Sequence, residues 1–316
     1  MGVFIMRGRR LKNDQEKSYL HCFNRTAGWS GEQFFGDVEK EKMFCLVERL
    51  QKFYCIEIIS FVCMSNHWHA VVCTYPELEV KRSFRAFYGN NATEPDWSDS
   101  TVVERYAKRM RDVSCFVKDL QQRFTCWFNR HHGRRGRLWA DRFKSVLLEG
   151  GCALWECLKY VEMNPVRAGL CKDPADYRFC SWGRYCGSGK HPFADSFEKH
   201  LLFCVPTVGE KDVIDLTEIA KFFASELARI AASERKETPE ESGKSAKAGK
   251  VQPFDLHVTR RVRYWTDGAV IGSKAFVERI ATDFFGVEQV RKKRMKVSTT
   301  PSSGSSSSLI AYRQLT

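Results

Sequence analysis

The chain has no unbroken apolar run near the roughly 20 residues that a membrane-spanning helix needs. Its first residues, MGVFIMRGRRLKNDQ, hold no apolar core of a secretory leader, so a soluble protein of the cytoplasm is expected, with no membrane partner. No Cys-x-x-Cys pair occurs among the 13 cysteines, which removes the usual sequence mark of a zinc ribbon or a redox dithiol. Cys22, Cys45, Cys55, Cys63, Cys73, Cys115, Cys126 and Cys157 mostly sit among apolar residues, where cysteine acts as a small hydrophobe, and a reducing compartment suits free thiols. Carboxylate clusters of the two-metal nuclease kind are absent, and no internal repeat is visible. Acid is short overall: 38 Asp and Glu against 51 Lys and Arg leave a formal charge of +13. An excess of that size points to a polyanion, nucleic acid before an anionic membrane surface.

What is present divides by composition. With 316 residues and 43% hydrophobic content the chain can form one or two domains with real cores. Residues 1–190 carry mixed strand and helix periodicity, and residues 191–232 are expected to form a helical extension. Residues 233–252, with the polar or small run SERKETPEESGKSAKAGK, are expected to be a flexible linker. Residues 253–297 form a small basic segment rich in aromatics, ending near VRKKRMK, and residues 298–316, opening on STTPSSGSSSS, are expected to be a disordered tail.

Within residues 1–190 the apolar period switches repeatedly. Residues 18–25, SYLHCFNR, alternate as a strand around Tyr19, His21 and Phe23, and DVEKEKMFCLVERLQKF then repeats at helical spacing through Phe44, Val47 and Leu50. YCIEIISFVC and HWHAVVC, joined by the short polar corner Met64-Ser65-Asn66, read as a hairpin with apolar residues on both faces. A helix over 114–131, a strand over 142–149 and a helix over 152–163, stopped ahead of Asn164-Pro165, complete the order β-α-β-β-α-β-α. That order predicts an α+β fold, a ferredoxin-like or split-βαβ antiparallel sheet with helices on one face, plus a C-terminal extension.

The stretch MSNHWHAVV places His67 and His69 on the same face of a strand, with Trp68 on the other. Two imidazoles so placed can share a divalent metal, although an open site needs further ligands. On the helix over 152–163, Leu154, Leu158 and Val161 form the buried stripe, and Tyr160 and Asn164 lie one turn apart on its flank. A phenol and an amide there could complete a site with the histidines. Taken alone, Tyr160 reads equally as an interfacial tyrosine with an apolar body and a wet hydroxyl.

MSNHWHAVV, LWADRFKSVLLE and YVEMNPVRAGL, in that order, resemble the single-tyrosine HUH transposases of insertion sequences, and most of all the REP-associated tyrosine transposase branch; the resemblance runs from about Tyr19 to Tyr185. It implies that His67 and His69 bind a divalent cation, magnesium or manganese, with Trp68 as the bulky middle residue. It implies that Tyr160 is the nucleophile, forming a 5′-phosphotyrosine link to single-stranded DNA, and that Asn164 is a neutral third ligand, with Glu156 competing for that role. The substrate it implies is a hairpin of a repeated extragenic palindrome. It leaves open whether Tyr160 serves its own subunit or a second copy, as a homodimer would require.

The run NRHHGRRGRLWADRFK at 129–144 sets Arg130, Arg134, Arg135, Arg137, Arg142 and Lys144 against the single acid Asp141, a density suited to backbone phosphates. Trp139 and Phe143 within it could stack bases or pack in the core. Arg167, just past the tyrosine helix, is expected to contact phosphate or brace that helix. Two other classes stay open at this stage. A transposase-derived nucleic-acid-binding module would bind hairpins without chemistry, and a metal-dependent phosphodiesterase using water would leave no covalent intermediate.

Overall fold

The structure is a computed structural model that describes residues 11, 16–28, 33–76, 79–202, 215–235, 265–266, 268–287, 296–297 and 309–312. The alternating first segment is strand β1 (Ser18–Arg25), followed by helix α1 (Asp37–Gln51), β2 (Ile56–Cys63) and β3 (His67–Thr74). Three helices precede the next strand: α2 (Val80–Tyr88), α3 (Ser100–Met110) and α4 (Val113–His131). Aspartates start two of them, because Asp99 accepts from the Thr101 amide at 2.8 Å and Asp112 from the Ser114 amide at 2.6 Å, each satisfying an otherwise orphaned helix donor. Strand β4 (Lys144–Leu148) leads into α5 (Cys152–Glu162), α6 (Asn164–Arg167), α7 (Ser181–Ser188), α8 (Ala194–Leu201) and α9 (Leu216–Arg235). Gly151, at φ +71, makes the turn into α5, a conformation costly for any residue with a Cβ.

The sheet runs in the order β2-β3-β1-β4, all antiparallel, which is the split-βαβ arrangement and gives the chain its α+β class. Helices cover both faces of it rather than one. Phe44 of α1 packs edge-on against Phe61 at 4.9 Å, and Phe61 stacks on Trp68, so α1 lies on the face that carries Trp68. On the other face Ser60 donates from Oγ to Glu162 of α5 at 2.6 Å, and Tyr160 of α5 meets His69. The physical reason is written in β2 and β3: both are apolar on alternate sides, and leaving either side wet would expose most of a core.

The sheet also continues past β4, which the sequence pattern does not reveal. Strand β5 (Val270–Gly272) pairs parallel to β4, and β7 (Ile310–Tyr312) and β6 (Lys296–Val297) extend it as antiparallel neighbours. Thus part of the segment over 253–297 belongs to the main sheet. Leu309, Ile310 and Ala311, expected in a disordered tail, are buried, because the apolar run after the serines pairs with β5. Between these strands lies α10 (Lys274–Phe285), capped by Ser273. The Glu149 carboxylate accepts from the Ser273 amide at 2.5 Å and its hydroxyl at 3.0 Å, placing an anion at the positive end of α10. Gly272 permits that approach, since a Cβ there would sit 2.7 Å from Glu149 Cβ. Helix α9 runs three residues into the stretch expected to be a linker; the rest of that stretch, residues 298–308, and VRKKRMK apart from Lys296 lie outside the described residues.

The outer edge of β2 is covered as well. Val62 bridges to Cys180, the Cys63 amide donates to the Phe179 carbonyl at 2.9 Å, and Ser181 Oγ both accepts from the Phe61 amide and donates to its carbonyl. An exposed edge would be a template for pairing with another chain.

Trp68 is fully buried, and its indole N–H finds no partner among the described residues. Trp68→Ala is expected to cost about 3–5 kcal/mol of stability. Trp68→Phe, which removes an unpaired donor along with less volume, should cost distinctly less in the same urea titration.

Candidate active site

Register decides which side chains share the α5 face of the sheet. His67 lies opposite Arg25, His69 opposite Phe23, and Phe23 opposite Lys144, so these five residues form two rows on one face. His21 is on the same face two residues before Phe23, and its Nε2 lies 2.9 Å from His69 Nδ1. Phe23 stacks on both His21 and His69, at 5.1 and 5.6 Å between ring centroids. At the open end, His67 donates from Nδ1 to the Asn66 side-chain oxygen at 2.7 Å, as the amide oxygen can only accept.

Helix α5 sets Tyr160 over this surface. Its ring is edge-on to His21 at 5.7 Å and to His69 at 5.9 Å, and it is 1% exposed. Trp265 stacks on it at 5.7 Å, and the Arg167 guanidinium sits 4.7 Å from the ring centre. Burial pushes the Tyr160 phenol up to about 12, while the positive charge of Arg167 opposes that rise.

The structure brings Tyr160, His67 and His69 together on one face. Asn164 donates from Nδ2 to the carbonyls of Tyr160 and Val161, at 3.0 and 3.1 Å, which leaves Oδ1 as the atom it can offer a metal. Glu156, the competing ligand, pairs through Oε1 with Lys159 of the same helix at 2.7 Å, and Lys159 in turn reaches Glu226 of α9 at 3.1 Å; Oε2 of Glu156 is buried with no partner among the described residues. Arg167 braces α5, donating to the Tyr160 carbonyl at 3.1 Å.

In the basic loop, Arg130, Arg135, Arg137, Arg142 and Lys144 are exposed. Arg134 is half-buried over the rings of Phe34 and Phe128. Trp139 and Phe143 are core residues rather than stacking platforms, since Trp139 packs on Phe35 and Phe124 and donates to Thr125 at 3.0 Å.

Three members of the site escape a reading of the sequence. His21 and Arg25 are visible there as same-face positions of the alternating β1 segment, but only the β1/β3 register aligns them with His67 and His69. Trp265 carries no local signal.

The imidazoles suit a metal in their protonation. Burial holds His67 neutral down to about pH 4, helped by the Arg25 charge, and burial also holds His69 well below its ordinary value. Each has Nδ1 engaged, which leaves Nε2 for a ligand. Among the described residues, no cysteine or carboxylate joins the pair in a three-ligand group. Such groups occur elsewhere, at Glu39/His131/His132 and at Glu57/Cys73/His200. In both the carboxylate is already spoken for: Glu39 by the Gly36 amide and His132, Glu57 by His200, Lys199 and Tyr75.

No protein-family model and no curated protein matches the chain. Among solved structures it is similar to one described as a REP-associated tyrosine transposase bound to a REP hairpin, with 15% identity over 66% of this chain and 94% of that one, at a TM-score of 0.36. No helix among the described residues is long and apolar enough to cross a membrane.

His21, His67 and His191 are each held to about 4 by burial, against 6.5 when unfolded. Between those values the unfolded chain binds more protons, so stability should fall as pH drops from 6.5 toward 4, by up to about 1.4 kcal/mol per pH unit for each histidine. Glu162, pushed up to about 7 by burial, works in the opposite sense between 4.5 and 7, as do Glu48 and Glu156, which burial also raises; His69, held well below its ordinary value, joins the three histidines on the other side. Urea midpoints measured from pH 7 down to 4.5 check this; a flat profile would contradict it.

Proposed function

We propose that the protein is a DNA strand-transfer enzyme that cleaves and rejoins single-stranded, hairpin-forming DNA through a 5′-phosphotyrosine on Tyr160. The observation that carries the reading is the Tyr160 ring set edge-on against His69 on the face that also holds His67, Arg25 and the Lys144 position. A phenol, two neutral imidazoles and two cations are what transfer of a phosphoryl group to tyrosine needs, and a purely structural face would have no use for them together. The three sequence motifs that resemble the HUH transposases supply His67, His69, Lys144 and Tyr160, while Arg25 comes from β1, outside them.

His67 and His69 through Nε2, with Asn164 through Oδ1, would hold a magnesium or manganese ion, water and phosphate oxygens filling the rest of its shell. When bound, such an ion polarises the phosphate and orients the strand. Arg25 and Lys144 neutralise the phosphate from the same face. Tyr160 Oη loses its proton and bonds to phosphorus; the P–O3′ bond breaks, and the 3′ oxygen takes up a proton, leaving a free 3′-hydroxyl that can later reverse the step. Arg167, beside the ring, favours the phenolate that burial disfavours. The placement of Tyr160 against the histidines of its own chain supports cleavage within one protomer.

The strand must displace Trp265 from the Tyr160 ring. Stacking of a base on an aromatic ring is worth about 1–3 kcal/mol, the right size to compete with that indole.

Incubation with a 3′-labelled single-stranded hairpin and Mn²⁺ should give a denaturation-resistant protein–DNA adduct. Tyr160→Phe and the His67→Ala/His69→Ala double variant should each lose it to below detection. Cleavage that survives Tyr160→Phe would sink the tyrosine mechanism in favour of water, and tight binding without adduct would leave a binding module. For the basic loop, Arg130→Ala/Arg135→Ala should weaken hairpin binding and reduce the slope of log K against log salt by about 0.7 for each phosphate no longer neutralised.

A further inference from the structure

The hydrogen bonding that reaches His69 does not stop there. His21 Nδ1 lies 3.1 Å from the Trp265 carbonyl oxygen, and His21 Nε2 lies 2.9 Å from His69 Nδ1. A carbonyl can only accept, so the neutral His21 carries its proton on Nδ1 and a lone pair on Nε2. That lone pair requires a donor, so His69 carries its proton on Nδ1, and its own Nε2 is bare.

We propose that His21, anchored on the Trp265 carbonyl, is a positioning residue that fixes His69 as the tautomer whose Nε2 lone pair faces a divalent cation. The inference rests on the reading of His67 and His69 as metal ligands. Three observations carry it. His67 reaches the same tautomer by an unrelated device, donation from Nδ1 to the Asn66 side chain, so both histidines of the pair end with Nε2 bare. The ring planes are fixed along with the protons: His21 lies within 13° of parallel to His69 and 29° of Phe23, and Phe23 within 24° of His69. Finally, His21 is fully buried, and both of its nitrogens are used in this chain of bonds, so it has no spare capacity for another role on solvent or substrate. Metal-binding imidazoles are commonly oriented through the second nitrogen in this way, by a carboxylate or a carbonyl; here a second imidazole relays the carbonyl.

The test uses the full chain labelled with ¹⁵N-histidine, with His69 resonances assigned by His69→Ala. At pH 7.5, long-range ¹H–¹⁵N correlations should show His69 Nδ1 protonated and Nε2 bare. In His21→Phe, which keeps the ring stack and removes the acceptor, His69 should shift toward the Nε2–H form or a mixture, and the Kd for Mn²⁺, read by electron paramagnetic resonance without DNA, should rise about 10–100-fold. His21→Gln supplies an acceptor and a donor in the same direction and should restore both readings toward wild type. His21→Leu takes the place of the phenylalanine variant if a urea titration shows the latter unfolded. An unchanged His69 tautomer and Mn²⁺ affinity in the folded variant would overturn the proposal. A tautomer that shifts as expected in a protein whose wild type binds no Mn²⁺ would instead sink the metal-ligand reading, and the cation-directed part of the proposal with it.

Discussion

A slip of one residue in the pairing of β1 with β3 would turn His21, Phe23 and Arg25 to the Trp68 side of the sheet and leave His67 and His69 facing α5 alone. The observed register prevents that, because it keeps Leu20 and Cys22 in the core on one side while the polar residues gather on the other. Apolar burial is large and non-directional, so it selects the register through the many packed core side chains. The few polar residues of the site then occupy positions they could not have enforced themselves.

Behind α5 a second constraint operates. Lys159 is 1% exposed and lies between Glu156 and Glu226, at 2.7 and 3.1 Å, tying α5 to α9. A buried ion pair gains little net stability over well-packed apolar side chains, but it is highly directional, and removal of one partner strands the others. Tyr160 follows Lys159 by one residue, about 100° around the helix. Clamping Lys159 on the α9 side therefore turns Tyr160 to the sheet. Arg167 adds to this from the C-terminal end, reaching back to the Tyr160 carbonyl and out to Glu234 of α9 at 3.7 Å.

Much of this is legible in local pattern. The bounds of β1, of the hairpin strands and of α5 follow from periodicity and from Asn164-Pro165, and the same-face placement of His67 and His69 needs only the two-residue repeat of a strand. What is not legible depends on distance along the chain. His21 joins His69 across α1 and β2, and nothing in SYLHCFNR says which strand will lie beside it. Trp265 comes from a segment whose composition suggests a separate piece. Coverage of both sheet faces is implied by the apolar residues on both sides of β2 and β3, and the split-βαβ expectation hides that implication. Trp139 and Phe143 show where local pattern leaves two readings open: a basic context admits stacking on bases as readily as core packing, and the structure decides for the core, with phenylalanines and a threonine as the neighbours of Trp139.

The bond between His21 and the Trp265 carbonyl joins residues 244 positions apart in the chain. At synthesis rates of 5–20 residues per second, roughly 12–50 s separate the appearance of the first from that of the second. In the later part of that interval, once α5 has been made, the ribosome holds a chain whose β1, β3 and α5 can pack, while the carbonyl that ends the histidine chain and the indole that covers Tyr160 do not yet exist. The finished arrangement of this surface is thus a property of the released protein, and nascent or prematurely terminated chains display the histidine pair and the phenol without it.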